Sequence, residues 1–260
     1  MFFFMAQPFL IYHWILILAA VIPAIFLMVK VYTSDHLEKE SKGLLMRLVR
    51  GGILSALLAL IEERLGEWLL GKFVAPENPL YNILMFFIVV AVSEETSKYI
   101  FMKRETWQNP EFNCQYDGVV YAVFVSLGFA LWENISYVLS YGFSTALVRA
   151  VTAIPGHASF GVFMGVFYGL SKKAEVRGDT FKSGLFRVFS ILVPVLMHGA
   201  YDYLATKENE DGSGYFLIFV VILFVVSFAT VHIAAKKDKF FVNRRGPADD
   251  VIDVNYREIK

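Results

Sequence analysis

The chain has 260 residues, 57% of them hydrophobic, and its formal net charge is zero. A soluble domain of this length is closer to half apolar and more heavily charged, and a zero balance removes the bulk electrostatic case for nucleic acid as a partner. The one cysteine, Cys114, excludes an intrachain disulfide and, in a short polar loop, reads as an inert thiol rather than a nucleophile.

A membrane-spanning helix needs about 20 mostly apolar residues. Seven stretches qualify in chain order: 8–31, 44–61, 80–102, 118–139, 146–170, 184–205 and 215–235. The first has no basic region ahead of it and charge rather than a small-residue cleavage site behind it. It is therefore read as a retained span and not as a signal peptide. The second is the weakest, with Arg47 and Arg50 near one end and Glu62, Glu63 and Arg64 at the other. Its preferred reading is a span with snorkelling arginines; the alternative is an amphipathic helix on the membrane surface. The fold class expected is all-α, a polytopic transmembrane helix bundle of about seven spans.

With seven spans, 19 of the 24 Lys and Arg fall on one side, which the positive-inside rule places in the cytoplasm. The N-terminus is then outside and the C-terminus inside. Tyr81, Tyr116, Tyr141, Tyr168, Tyr203 and Tyr215 lie near span ends, where amphipathic rings favour the interface. Residues 1–235 form a single transmembrane domain with its core at 80–205, and 236–260 a polar cytoplasmic tail without chemistry.

An ionisable residue at mid-bilayer costs at least about 2.5 kcal/mol, yet these spans carry several. The third holds Glu94, Glu95 and Lys98, the fourth Glu133 and Asn134, the fifth His157, and the sixth His198 and Asp202. Glu94 and Lys98 share a helix face, as do His198 and Asp202. His157, Gly161, Gly165 and Gly169 recur every fourth residue, a stripe of small residues that suits close helix contact and puts His157 on a contact face. Pro155 is expected to kink this helix and free a carbonyl.

Plainer readings compete. Lys98 either snorkels toward the nearby Lys103 end or neutralises Glu94. Adjacent helical residues point about 100° apart, so Glu94 and Glu95 are not expected at one spot. Asn134 reads more as helix-to-helix glue than as a catalyst, and Phe129 and Trp132 as packing. A mid-span histidine is often a hydrogen-bonded packing residue. Carboxylates and histidines on four consecutive spans nevertheless point to a functional constellation. Three classes fit it: a hydrolase with a carboxylate base, a zinc enzyme with Glu and His ligands, and an ion-coupled transporter using the same groups as a relay. There is no HExxH motif for the second and no inverted repeat for the third; composition and spacing do not decide.

Taken in order on successive spans, Glu94-Glu95-x-x-Lys98, Phe129-x-x-x-Glu133-Asn134, the isolated His157 and His198-x-x-x-Asp202 resemble the PrsW family of bacterial intramembrane proteases. That family belongs to the superfamily of CAAX-prenyl endopeptidases and bacteriocin-processing membrane proteins. The resemblance covers about half the chain, 80–205. It implies a glutamate-dependent endopeptidase of the bacterial cell membrane, acting on a membrane-anchored protein such as an anti-sigma factor, with lipid and that substrate as its partners. It also implies that Glu94 or Glu95 is the base toward water, assisted by Glu133. His198 would stabilise the oxyanion with Asp202 fixing or sharing that task, His157 would be a further site residue, and Lys98, Asn134 and Phe129 would support. Zinc stays open as a cofactor, with Glu94, Glu133, His157 and His198 as candidate ligands. A rise of 1.5 Å per residue puts Glu95 about 10 Å and Glu133 about 22 Å from the inner ends of their helices, so a shared site needs tilt or kinks. Hydrolysis within the bilayer also requires a water-accessible cavity.

Overall fold

In the computed structural model, residues 2–211 and 214–241 are described, with side chains at 11–207 and 214–241. Of the predicted tail, only 236–241 falls among them. The helices are α1 (Phe2–Ser34), α2 (Lys42–Phe73), α3 (Leu80–Leu84), α4 (Ala91–Thr106), α5 (Asp117–Tyr141), α6 (Phe143–Val151), α7 (Ala153–Val176), α8 (Thr180–Asp211) and α9 (Tyr215–Lys236). A π-helical segment, Met85–Val90, joins α3 to α4. No β-strand forms among the described residues; one bridge pairs Cys114 with Phe240.

Among the described residues, six stretches are long and apolar enough to cross a membrane, and α2 is one of them. The weakest expected span is thus a 32-residue helix, about 48 Å long at 1.5 Å per residue. Ser41 caps its start, its side chain accepting from the Leu44 amide at 3.2 Å. The rod 80–106 is not one of those six, because the π-helical segment divides it into pieces of 5, 6 and 16 residues. Its own polar residues, the ones that matter for the site, lower its apolarity.

Helix α5 is the centre of the bundle. Its residues from Asp117 to Ala130 are all buried, and α2 and α7 lie against it through glycines. A Cβ on Gly52 would fall 2.1 Å from the Val125 carbonyl oxygen, and one on Gly165 would fall 2.4 Å from that of Gly118. A Cβ on Gly161 would sit 2.9 Å from Ser126 Oγ. The predicted small-residue stripe therefore packs on α5 at backbone contact, and this close approach brings His157 over the α5 side chains.

The fifth span is broken rather than kinked at Pro155. The helix stops at Val151 and restarts at Ala153, with Thr152 at φ −120°, ψ −68°. Pro155 occupies the first turn of α7, where its missing N–H removes no helix bond. His157 is thereby one turn from a helix start.

Two of the six tyrosines expected at the interface lie inside the protein: Tyr116 and Tyr168 are fully buried. Tyr168 pairs with Thr106 Oγ1 at 2.8 Å and stacks on Phe112, with ring centroids 5.1 Å apart. Proximity to a span end does not fix depth where loops such as 107–116 fold back over the helix ends.

Candidate active site

The rod 80–106, α5, α7 and α8 bring their polar residues to one place. Lys98 is fully buried and donates to Glu95 Oε1 at 2.8 Å and to Glu94 Oε2 at 3.1 Å. It also reaches His157 Nδ1 at 3.2 Å and lies 3.9 Å from the centroid of the Phe129 ring, a cation–π contact. Snorkelling is therefore excluded. The expectation that Glu94 and Glu95 occupy separate spots is corrected as well: the long Lys98 side chain, three and four residues on, gathers both carboxylates.

An ammonium group only donates, so His157 Nδ1 accepts from Lys98 and its Nε2–H faces Glu133 Oε2 at 2.8 Å. This fixes the tautomer of His157. It also resolves the mismatch in depth, since Glu133 joins the constellation through the far nitrogen of His157 rather than by meeting Glu95. His198 Nδ1 lies 2.9 Å from Glu95 Oε1 and 3.8 Å from Glu94 Oε2. Its Nε2 is 3.4 Å from Asp202 Oδ2, long for a hydrogen bond. Phe160 stacks on the His198 ring at 4.8 Å, and the rings of His157 and His198 meet edge to face at 5.4 Å.

The π-helical segment assists this placement. Gly199 leaves room for Phe87: a Cβ there would fall 2.5 Å from Phe87 Cδ1. The neighbouring His198 is thus carried against the glutamate helix, where π segments often mark functional positions.

Two residues escaped the sequence reading. Arg149 of α6 donates from Nη2 to Glu133 Oε2 and from Nε to Asn134 Oδ1, both at 2.8 Å. Its signal is a lone arginine in an apolar stretch, six residues before Pro155. Phe160 gave no signal distinguishable from core. Asn134 behaves as glue, donating to the Ala20 carbonyl of α1 at 3.2 Å. Phe129 is buried at the site, whereas Trp132 is 42% exposed and does not pack inside.

A cavity of about 300 Å³ lies between α1, α7 and α9, lined by residues such as Leu27, Pro155, Ala158, Phe224 and Phe228. None of the six candidate catalytic residues borders it. The constellation opens instead at Glu133 and Asp202, whose side chains are each 24% exposed.

Glu94, Glu95, His157 and His198 each offer one ligand atom, all within 4.8 Å of one another. Ligands about a tetrahedral zinc stand about 3.4 Å apart, so small side-chain movements close the difference. Glu95 Oε2 is buried without a hydrogen-bond partner, a ligand oxygen left over by the protein's own contacts. Two carboxylates and two imidazoles in this arrangement fit zinc. Glu95 replaces Glu133 in the set expected from sequence, because Glu133 lies behind the His157 ring.

The profile of the PrsW family, described as intramembrane metalloproteases, matches residues 40–231. The chain is 30% identical over 224 residues to Protease PrsW of Halalkalibacterium halodurans, covering 86% of this chain and 99% of that one. It is 32% identical over 197 residues to Protease PrsW of Geobacillus kaustophilus, covering 76% and 82%, and 29% identical over 240 residues to that of Clostridioides difficile, covering 88% and 96%. No solved structure matches it. A seven-rod helical bundle, a buried Glu–Lys–His constellation and a family match over most of the length agree: the chain belongs to the PrsW family of intramembrane proteases.

Proposed function

We propose that the chain hydrolyses a peptide bond of a membrane-anchored protein, with Glu94 as the base toward water. The observation that carries this reading is the convergence of Glu94, Glu95 and His157 on the buried ammonium of Lys98, with His198 joined to it through Glu95. Glu95 is tied to both Lys98 and His198, which suits an orienting role. Glu94 makes the longer contact to Lys98 and is the less enclosed of the pair, so it is the freer to accept a proton.

In this mechanism the water oxygen bonds to the scissile carbonyl carbon as Glu94 takes its proton. His198 donates from Nδ1 to Glu95 at 2.9 Å and, as the imidazolium, turns its Nε2–H, which faces Asp202 at 3.4 Å, to the developing oxyanion. The C–N bond then breaks and the proton passes from Glu94 to the leaving amine. His157 holds Lys98 on one nitrogen and Glu133 on the other, keeping the carboxylate pair in place. Zinc, held by Glu95, His157 and His198 with Glu94 left as the base, would supply a Lewis acid for the carbonyl and a more acidic water. The substrate is an anti-sigma factor cut on its extracytoplasmic side, and the chain sits in a bacterial cytoplasmic membrane with its N-terminus outside. The resemblance and the lysine and arginine asymmetry support these two statements.

The test is cleavage of a membrane-anchored reporter by purified protein in liposomes. Loss of cleavage in Glu94→Ala and His198→Ala, with indifference to a chelator, supports the glutamate base. Loss on chelation with recovery on zinc supports the metal-assisted form. Cleavage undiminished in both variants overturns the site.

A further inference from the structure

A second acidic cluster lies at the opposite end of the chain's helices from Glu133. Asp35 follows α1, Glu40 precedes α2 and Asp117 opens α5, and each brings an oxygen within 4.8 Å of the others. All three are buried. Asp238, just past α9, groups with Asp117 and Cys114 in the same way. Three separate segments, the α1–α2 loop, the start of α5 and the stretch after α9, thus deliver four carboxylates to the end where the loops close over the bundle.

The protein's own groups satisfy these carboxylates only in part. Asp117 Oδ2 accepts from the amides of Asn113 and Cys114 at 2.9 and 2.6 Å. Glu40 Oε2 accepts from Tyr121 at 2.9 Å, and Asp238 Oδ1 from the Tyr116 amide at 2.9 Å. Asp35 is only 4% exposed, yet its Oδ2 meets no donor; nor does Asp238 Oδ2. Among the described residues, no Lys, Arg or His forms an ion pair with any of the four. Lys39, next to Glu40 in sequence, donates instead to the main-chain carbonyls of Tyr32 and Asp35. The active site shows the contrast, because there a buried lysine neutralises the carboxylates.

From this geometry we infer a second, structural cation site, in which Asp35, Glu40 and Asp117 hold a hard divalent cation such as Mg²⁺ or Ca²⁺. All-oxygen donors suit these ions, and the absence of histidine sets the site apart from the zinc-type set. Burial holds the Glu40 carboxyl up at about 8 and raises that of Asp35. No cationic side chain among the described residues is paired with these buried carboxylates, so a divalent cation would supply the missing counter-charge. Bound there, the cation ties the end of α1, the entries of α2 and α5 and, through Asp117, the segment after α9. Cys114 lies beside Asp117 and is itself buried, so its thiol reports whether this end opens.

The test uses the full chain in detergent, stripped with a chelator and then titrated with Mg²⁺, Ca²⁺ or Mn²⁺. Thermal unfolding, Mn²⁺ paramagnetic resonance and the rate of Cys114 alkylation are followed. A saturating ion is expected to raise Tm by about 2–4 °C and, at ten times its Kd, to slow alkylation about tenfold. Both effects should vanish in Asp35→Asn and in Glu40→Gln, and persist in Glu95→Gln, which alters only the active-site set. Absence of both effects and of bound Mn²⁺ in the unaltered chain overturns the site. So does an effect that survives in Asp35→Asn and Glu40→Gln but is lost in Glu95→Gln.

Discussion

Lys98 Nζ lies 2.8 Å from Glu95 Oε1 with both side chains at 0% exposure, so a full ion pair is held in the interior of a membrane bundle. Removing one member of such a pair leaves an uncompensated buried charge, which costs about 3–5 kcal/mol. Lys98→Met should therefore destabilise the chain by about that amount, since it strands Glu95 and weakens the hold on Glu94. Combining it with Glu95→Gln should recover much of the loss, a coupling visible as non-additivity in a double-mutant cycle. Unfolding followed by denaturant titration in detergent measures both. Additive losses would mean that the two groups do not sense each other.

The small-residue contacts between α5 and α7 make a second prediction. A methyl group on Gly165 would meet the Gly118 carbonyl oxygen at 2.4 Å, and backbone cannot move aside as a side chain can. Gly165→Ala should destabilise by about 1–3 kcal/mol and lower cleavage, because the separation of these helices sets where His157 meets Glu133. Gly71→Ala is the control: nothing lies within 4 Å of that position, and alanine there should be neutral or stabilising by up to about 1 kcal/mol. Equal effects of the two would detach the glycine stripe from the placement of the site.

That stripe shows what the sequence can carry. Every-fourth-residue spacing predicts the contact face of α7 because helical period alone determines it. The motif spacings likewise predict which helices meet. What they do not carry is side-chain reach. Glu94 and Glu95 point in different directions as helix positions, and only the length and flexibility of Lys98 bring them to one ammonium. Arg149 reads as an ordinary loop cation until the break at Thr152 turns α6 across the end of α5. The tyrosines at span ends read as interface anchors until the loop with Phe112 covers Tyr168. The charges that define the site also lower the apolarity of the rod 80–106, whereas α2, flanked by charge, is a full-length helix. Hydropathy and function pull against each other in such a segment.

Arg149 yields the third prediction. It anchors Glu133 and Asn134 together and lies over the Tyr137 ring at 4.0 Å. Arg149→Ala should lower kcat on the reporter about tenfold with little change in KM, because it loosens the carboxylate that orients His157 and leaves the substrate path intact. Arg149→Lys should rescue poorly, since one ammonium cannot replace a guanidinium that bonds two acceptors at once. A pure rise in KM would instead assign Arg149 to substrate binding.

Metal uptake separates the roles of the three glutamates. Glu95 has an unpartnered buried oxygen and belongs to the four-residue donor set, while Glu133 reaches that set only through the His157 ring. Removing a ligand and removing a ligand's orienting partner have different magnitudes, the latter costing about 10–100-fold in metal affinity. Zinc titrated into the chelator-stripped chain should bind at this set, followed by metal analysis and by the visible spectrum of the cobalt-substituted form. Glu95→Gln should abolish the stoichiometric site. Glu133→Gln should leave one metal per chain at affinity lower by about 10–100-fold. Lys98→Met should tighten binding if any change is seen, because it removes a cation that competes for the same carboxylates. Full binding in Glu95→Gln, or none in Glu133→Gln, would exchange the two glutamates and restore the ligand set expected from sequence.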